Sequence, residues 1–112
     1  NILKSNKMKL AYKSCIEACK KCFIDCQNCI VNMAGKESMN ECPNCCIQCV
    51  DTCLSTIKIL MADSPFSSKQ AALCAEICEW CAEQCQQHDH EHCQLCAESC
   101  LACAKECRKL AA

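Results

Sequence analysis

Five cysteines near the start of this chain constrain its fold more than any other feature. Cys15, Cys19, Cys22, Cys26 and Cys29 follow one another at intervals of 4, 3, 4 and 3 residues. Side chains three and four apart share one face of an α-helix, so this spacing lines the thiols up as a single stripe. The residues between them are mostly charged, amide or apolar helix-tolerant types, with neither Gly nor Pro among them. A seam at heptad spacing normally carries Leu, Ile or Val. Here it carries sulfur.

The pattern recurs three more times. A first helix over about 7–34 has the ladder Met8, Tyr12, Cys15 to Cys29, then Met33, and Gly35 stands where a left-handed residue would close it. A second, over about 41–62, aligns Met39, Cys42, Cys46, Cys49, Cys53, Ile57 and Leu60, with Cys45 beside the seam. Asn40 is its expected N-cap and Pro43 falls in its first turn. A third, over about 65–87, starts from Ser64 as N-cap and Pro65 as first helical residue, and aligns Cys74, Cys78, Cys81, Cys85 and then His88. The fourth, over about 90–110, with Asp89 as a candidate N-cap, carries Cys93, Cys96, Cys100, Cys103, Cys107 and Leu110. Residues 1–6 read as a frayed leader.

Four helices with short connections predict an all-α, antiparallel up-down-up-down bundle, a single domain over residues 1–112 with a cysteine-lined core. One Gly and two Pro in the chain agree with long helices. Aromatic residues make up only 4% of the chain, so without its 19 cysteines it would struggle to form a core. A thiol packs as a small hydrophobe and can supply one. Ile16, Phe23, Ile24, Ile30, Ile47, Ile77, Trp80, Leu95 and Leu101 widen the apolar stripes, to seal the bundle or to meet other subunits. Lys20 and Lys21 read as a solvated face.

Alternating helix direction stacks the thiols in layers: Cys29, Cys42, Cys85 and Cys93; Cys26, Cys46, Cys81 and Cys96; Cys22, Cys49, Cys78 and Cys100; Cys19, Cys53, Cys74 and Cys103; then Cys15 with Cys107. Cys45 remains as a supplementary ligand. Layers about 5 Å apart make a tube about 20 Å long. One end runs out into Met8, Tyr12, Ile57, Leu60, Met61, Phe66 and Leu110, an apolar floor. The other runs out into Met33, Met39, His88, His90 and His92, thioethers and imidazoles able to receive a soft metal.

Nineteen is odd, and cysteines three or four apart on one helix suit a shared ligand better than disulfides. The thiols are therefore expected reduced, with the cytoplasm as the compartment. A net charge of −1 gives no reason to expect nucleic acid or a membrane surface as partner, and no apolar run approaches the about 18 residues of a membrane span. No secretory leader is visible, although the chain begins at Asn1 rather than Met.

Soft thiolates select Cu(I), Zn(II) or iron–sulfur clusters. Zinc favours separate four-cysteine sites in loop knuckles, and iron–sulfur motifs also rely on loop backbone. Charge decides further. Monovalent copper at roughly one per thiolate leaves a buried core near neutral, whereas zinc on four thiolates leaves about two negative charges per site. Silver meets the same condition, but copper is the biological candidate. Multiple Cu(I) ions are the expected cargo.

Four helices with CxxxC and CxxC seams facing one core, ended by Met and His, resemble the bacterial copper storage proteins over residues 8–110. The resemblance implies a four-helix bundle, many Cu(I) ions held mainly by thiolates, assembly into homotetramers, and a cytosolic location for cysteine-rich members without export signals. It also implies that Met33, Met39, His88, His90 and His92 stand at the end where metal enters. Storage or detoxification without catalytic turnover is the expected function. The alternatives are a zinc or general thiol-rich metal buffer, an iron–sulfur or thiol redox protein, and a disulfide-stapled structural protein. Burial is expected to keep the metal-free thiols neutral.

Overall fold

The computed structural model describes residues 9–111. Four helices run through it: α1 (Leu10–Met33), α2 (Asn44–Met61), α3 (Ser67–Gln86) and α4 (Glu91–Leu110), with no strand among the described residues. The expected leader over 1–6, the helix start near Lys7 and the place of Met8 in ladder and floor lie outside the described residues. α1 touches α2, α2 touches α3, α3 touches α4, and α4 closes the ring against α1; the backbones of the diagonal pairs stay apart, and thiols reach across instead, as Cys46 does to Cys96 at 3.6 Å. The chain is an all-α four-helix bundle, and the space around its axis is left to side chains.

The thiols show the helix directions. Across the α1–α4 seam Cys15 meets Cys107, Cys19 meets Cys103, Cys22 meets Cys100, Cys26 meets Cys96 and Cys29 meets Cys93. Numbers rise on one helix as they fall on the other, as antiparallel packing requires. Cys22 with Cys49 and Cys29 with Cys42 show the same for α1 and α2, and Cys49 with Cys78 and Cys46 with Cys85 for α2 and α3.

Helix ends depart from expectation in instructive ways. Gly35 does close α1, at φ +79, where a left-handed residue carries the chain away. Asn40 is not the N-cap of α2: the helix begins at Asn44, behind Pro43, whose carbonyl accepts from the Ile47 N–H. The Asn40 side chain is engaged in the loop instead. Ser64 does not cap α3 either. Its hydroxyl accepts from the Phe66 N–H two residues on, a local turn, and the helix opens at Ser67, leaving Pro65 outside it. At α4 the cap position belongs to His90 rather than Asp89. Glu91 in its first turn and Arg108 and Lys109 in its last complement the helix dipole.

All nineteen cysteines are buried, and with Ile16, Val50, Met33 and Leu60 they form one continuous core. Ala71, Ala75 and Ala82 on α3 and Ala97 and Ala104 on α4 are buried beside them, small residues that fill little space where helices pack. Tyr12, Phe23, Ile30, Ile57, Ile77, Trp80 and Leu110 pack against this core from its edges. No helix among the described residues is long and apolar enough to cross a membrane.

Candidate metal centre

The thiols form a connected column. Sulfur atoms of Cys26, Cys46, Cys81 and Cys96, one from each helix, all lie within 4.8 Å of one another. The same spacing holds for Cys29, Cys46, Cys85 and Cys96 and for Cys22, Cys53, Cys78 and Cys103, and also for two sets that take two thiols from one helix, Cys22, Cys26, Cys49 and Cys100, and Cys19, Cys74, Cys103 and Cys107. Cys22, Cys26, Cys46, Cys96 and Cys103 each belong to two of these quartets.

The expected layers run into one another. Cys53 shares a quartet with Cys22, Cys78 and Cys103 while its thiol still interacts with Cys19 and Cys74, which share a quartet with Cys103 and Cys107. The cause lies in helix geometry. Each Cα–Cβ bond leans toward the N-terminus of its own helix, so thiols on antiparallel neighbours lean in opposite senses. A level therefore puckers, and its sulfurs reach halfway to the next. Cys26 and Cys100, at 3.5 Å, and Cys46 and Cys85, at 3.5 Å, are such links between levels. Cys45 is buried beside the column, its thiol interacting with those of Cys42, Cys46, Cys81 and Cys85 and its Sγ 3.9 Å from the Cys81 carbonyl oxygen.

Neighbouring thiols in the column shift one another in opposite directions. The Cys15 pKa is drawn down to about 4, chiefly by the Cys107 thiol and then by Cys19. Cys42 is drawn down to about 3, first by Cys29. The partners move the other way: Cys107 is pushed up by Cys103 and Cys15, and Cys29 by Cys42. A thiol that donates to a neighbouring sulfur stabilises the thiolate there while tightening its own proton. Burial leads only at Cys93, which is pushed up first by desolvation and then by Cys29.

The two ends differ in ways the ladders only partly conveyed. At the floor Leu60 is buried, and Tyr12, Ile57 and Leu110 are partly so, but Met61 and Phe66 are both 63% exposed and plug nothing. The α2–α3 seam there holds a polar cluster that the ladders did not include. The Thr56 hydroxyl donates to the Thr52 carbonyl at 2.7 Å, and the Gln70 amide donates to both threonine hydroxyls. Thr52 and Thr56, four apart and flanking Cys53, were the available signal.

At the mouth, Met33 is buried in the core, whereas Met39 is 68% exposed and stands off the column. His88 is buried and its Nε2 lies 2.8 Å from Asn40 Oδ1. His90 is exposed, and His92 is half-buried with Nδ1 3.5 Å from the Cys93 sulfur. The three imidazoles stack in sequence, with centroids 6.3 Å and 5.1 Å apart.

A column of buried sulfurs within reach of one another suits soft cations shared between thiolates. Comparison with known proteins bears on which cation. The family model described as copper storage protein matches residues 5–112. The Bacillus subtilis cysteine-rich protein YhjQ is 42% identical over 104 residues, spanning 89% of this chain and 95% of that protein. Among solved structures, the Cu(I)-bound copper storage protein BsCsp3 is 39% identical with a TM-score of 0.86, covering 91% of this chain and 99% of its own. A cytosolic copper storage protein from Streptomyces lividans, loaded with five coppers, is 28% identical with a TM-score of 0.83, over 89% and 91% of the two chains.

Proposed function

We propose, on the premise that this chain belongs to the copper storage protein family, that it holds many Cu(I) ions at once on its core thiolates and turns over no substrate. The single observation that carries this is the run of overlapping quartets. A thiolate common to two quartets can bridge two ions, and bridging lets low-coordinate Cu(I) fill a column at close to one ion per sulfur. Zinc, which favours four thiolates per ion, leaves more surplus negative charge in a dry core.

The nineteen cysteines are the proposed ligands, with Cys45 supplementary. Of the five Met and His candidates, Met33 and His88 are buried and His92 reaches the Cys93 sulfur at 3.5 Å, whereas His90 and Met39 face solvent and are the weaker candidates. A cytosolic location is part of the proposal, supported by likeness to the Streptomyces lividans protein. So is a homotetramer. Ile24 and Val31, seven residues apart on α1, are 59% and 64% exposed and offer an apolar stripe to another copy.

Anaerobic titration of the reduced protein with Cu(I) against a competing chelator tests the reading. Uptake of well over ten ions, with zinc failing to match it, is expected from the charge argument. Saturation after a few ions, or loss of copper to a moderate chelator, overturns it. Light scattering on the loaded protein tests the tetramer.

A further inference from the structure

We propose that Asn40 is the positioning residue of the mouth, holding Cys42 against the outermost thiols and fixing which nitrogen of His88 can meet copper. The assignment rests on the copper-storage reading and deepens it.

Eighteen of the nineteen thiols are placed by a helix. Cys42 is the exception, lying in the turn before α2 begins at Asn44. It is nonetheless buried, with its sulfur 3.9 Å from both Cys29 and Cys85. Something other than helix geometry must keep it there. The Asn40 side chain does so: Oδ1 accepts from the Cys42 backbone N–H at 3.0 Å, and Nδ2 donates to the Gln84 carbonyl at 2.8 Å and to Gln87 Oε1 at 3.3 Å. A second tie parallels it, from the Glu41 N–H to Gln84 Oε1 at 3.0 Å. The turn carrying Cys42 is thus pinned to the C-terminal end of α3, the same end that presents Cys85.

The two backbone partners decide how the amide lies. Only Nδ2 can serve the Gln84 carbonyl and only Oδ1 can serve the Cys42 N–H. His88 Nε2, 2.8 Å from that oxygen, must then be the protonated nitrogen, because Oδ1 can only accept. Ser38 Oγ, 3.3 Å from the same oxygen, completes the cluster. The lone pair of neutral His88 is left on Nδ1. A soft metal arriving at the mouth therefore finds two groups prepared by one amide, a thiol held in place and an imidazole with its tautomer set.

The test compares wild type with Asn40→Ala and Asn40→Asp, using a Cu(I)–chelator complex as donor. Nitrogen-15 NMR of the metal-free wild type should show His88 protonated at Nε2. Losing both bonds made by Oδ1 should slow uptake of the first Cu(I) ions and weaken retention of the last by about tenfold, with most of the total capacity kept. Asn40→Asp keeps the oxygen that Cys42 and His88 share but loses the Nδ2 tie to Gln84, so it should keep the His88 proton on Nε2 and fall between wild type and Asn40→Ala in uptake. Wild-type uptake by Asn40→Ala, or a wild-type His88 protonated at Nδ1, overturns the assignment. So does a proportional fall in capacity and in metal-free melting temperature, which would make Asn40 a folding residue only. If Asn40→Ala does not fold, the wild-type tautomer still decides. Failure of wild type itself to take up copper is a separate outcome, and sinks the storage reading instead.

Discussion

The sulfurs of Cys26 and Cys96 stand 3.1 Å apart across the α1–α4 seam, closer than the 3.5 Å and above of the other thiol pairs along that seam. A disulfide needs about 2.05 Å, so this pair has the shortest distance to travel. Mild oxidation of the metal-free protein should therefore cross-link Cys26 to Cys96 first, the two thiols giving two electrons and two protons to the oxidant. Copper-loaded protein, with both sulfurs occupied, should resist. Peptide mapping without reduction checks it; a first cross-link at Cys15–Cys107 would show that access, not proximity, governs.

Copper should stabilise the fold, because an unfolded chain has no quartets to offer. One site at a free Cu(I) concentration a hundred times its dissociation constant adds about 2.7 kcal/mol, and several sites add more. The melting temperature followed by circular dichroism should climb with each equivalent and return when a strong chelator strips the metal. A loaded protein that melts with the metal-free one would contradict this.

Part of the α1–α4 seam is closed by a polar clasp. Ser99 is buried and donates to the Asp25 carboxylate, while Lys21 Nζ reaches Asp25 at 2.7 Å and Ser99 Oγ at 3.2 Å. Ser99→Ala leaves Asp25 short of a donor and should cost about 1–2 kcal/mol in urea denaturation. Copper capacity should not change, since no sulfur is disturbed. A drop in capacity would mean that the clasp sets the width of the column.

The floor should prove half polar in its energetics. Thr56→Val keeps the shape but strips Gln70 of its closer partner and should cost about 1–3 kcal/mol. Leu60→Ala, a fully buried truncation, should cost about 2–5 kcal/mol. Met61→Ala, at a side chain 63% exposed, should fall within about 0.5 kcal/mol of wild type by the same denaturation curves.

What could be read from the chain alone was whatever repeats with the helix. The seams, their directions and the pairing of Cys26 with Cys96 or Cys15 with Cys107 follow from a spacing of three and four. Single side chains at helix ends did not yield to that logic. Ser64 has the composition of an N-cap, yet its hydroxyl takes the nearer Phe66 N–H. Asn40 is drawn into a contact with α3 that lies more than forty residues away in sequence. Phe66 and Met61 continue the apolar pattern but are left exposed at the end of the bundle. Lean along the helix axis, which brings Cys53 into a quartet with Cys22 as well, depends on three-dimensional offset and leaves no mark in the spacing.

Quartets that share corners have a kinetic meaning. An ion bound to Cys29 and Cys96 can let go of one sulfur and grasp Cys26, then Cys22, with one bond still made at every step. Neighbouring rungs lie 3.5–4.0 Å apart, as with Cys26 and Cys100 or Cys96 and Cys100, so each step is about the length of a single swap. Travel along the axis then needs no opening of the bundle, no water and no bare cation. The store can fill to its far end and drain from the near one as a ladder is climbed, hand over hand.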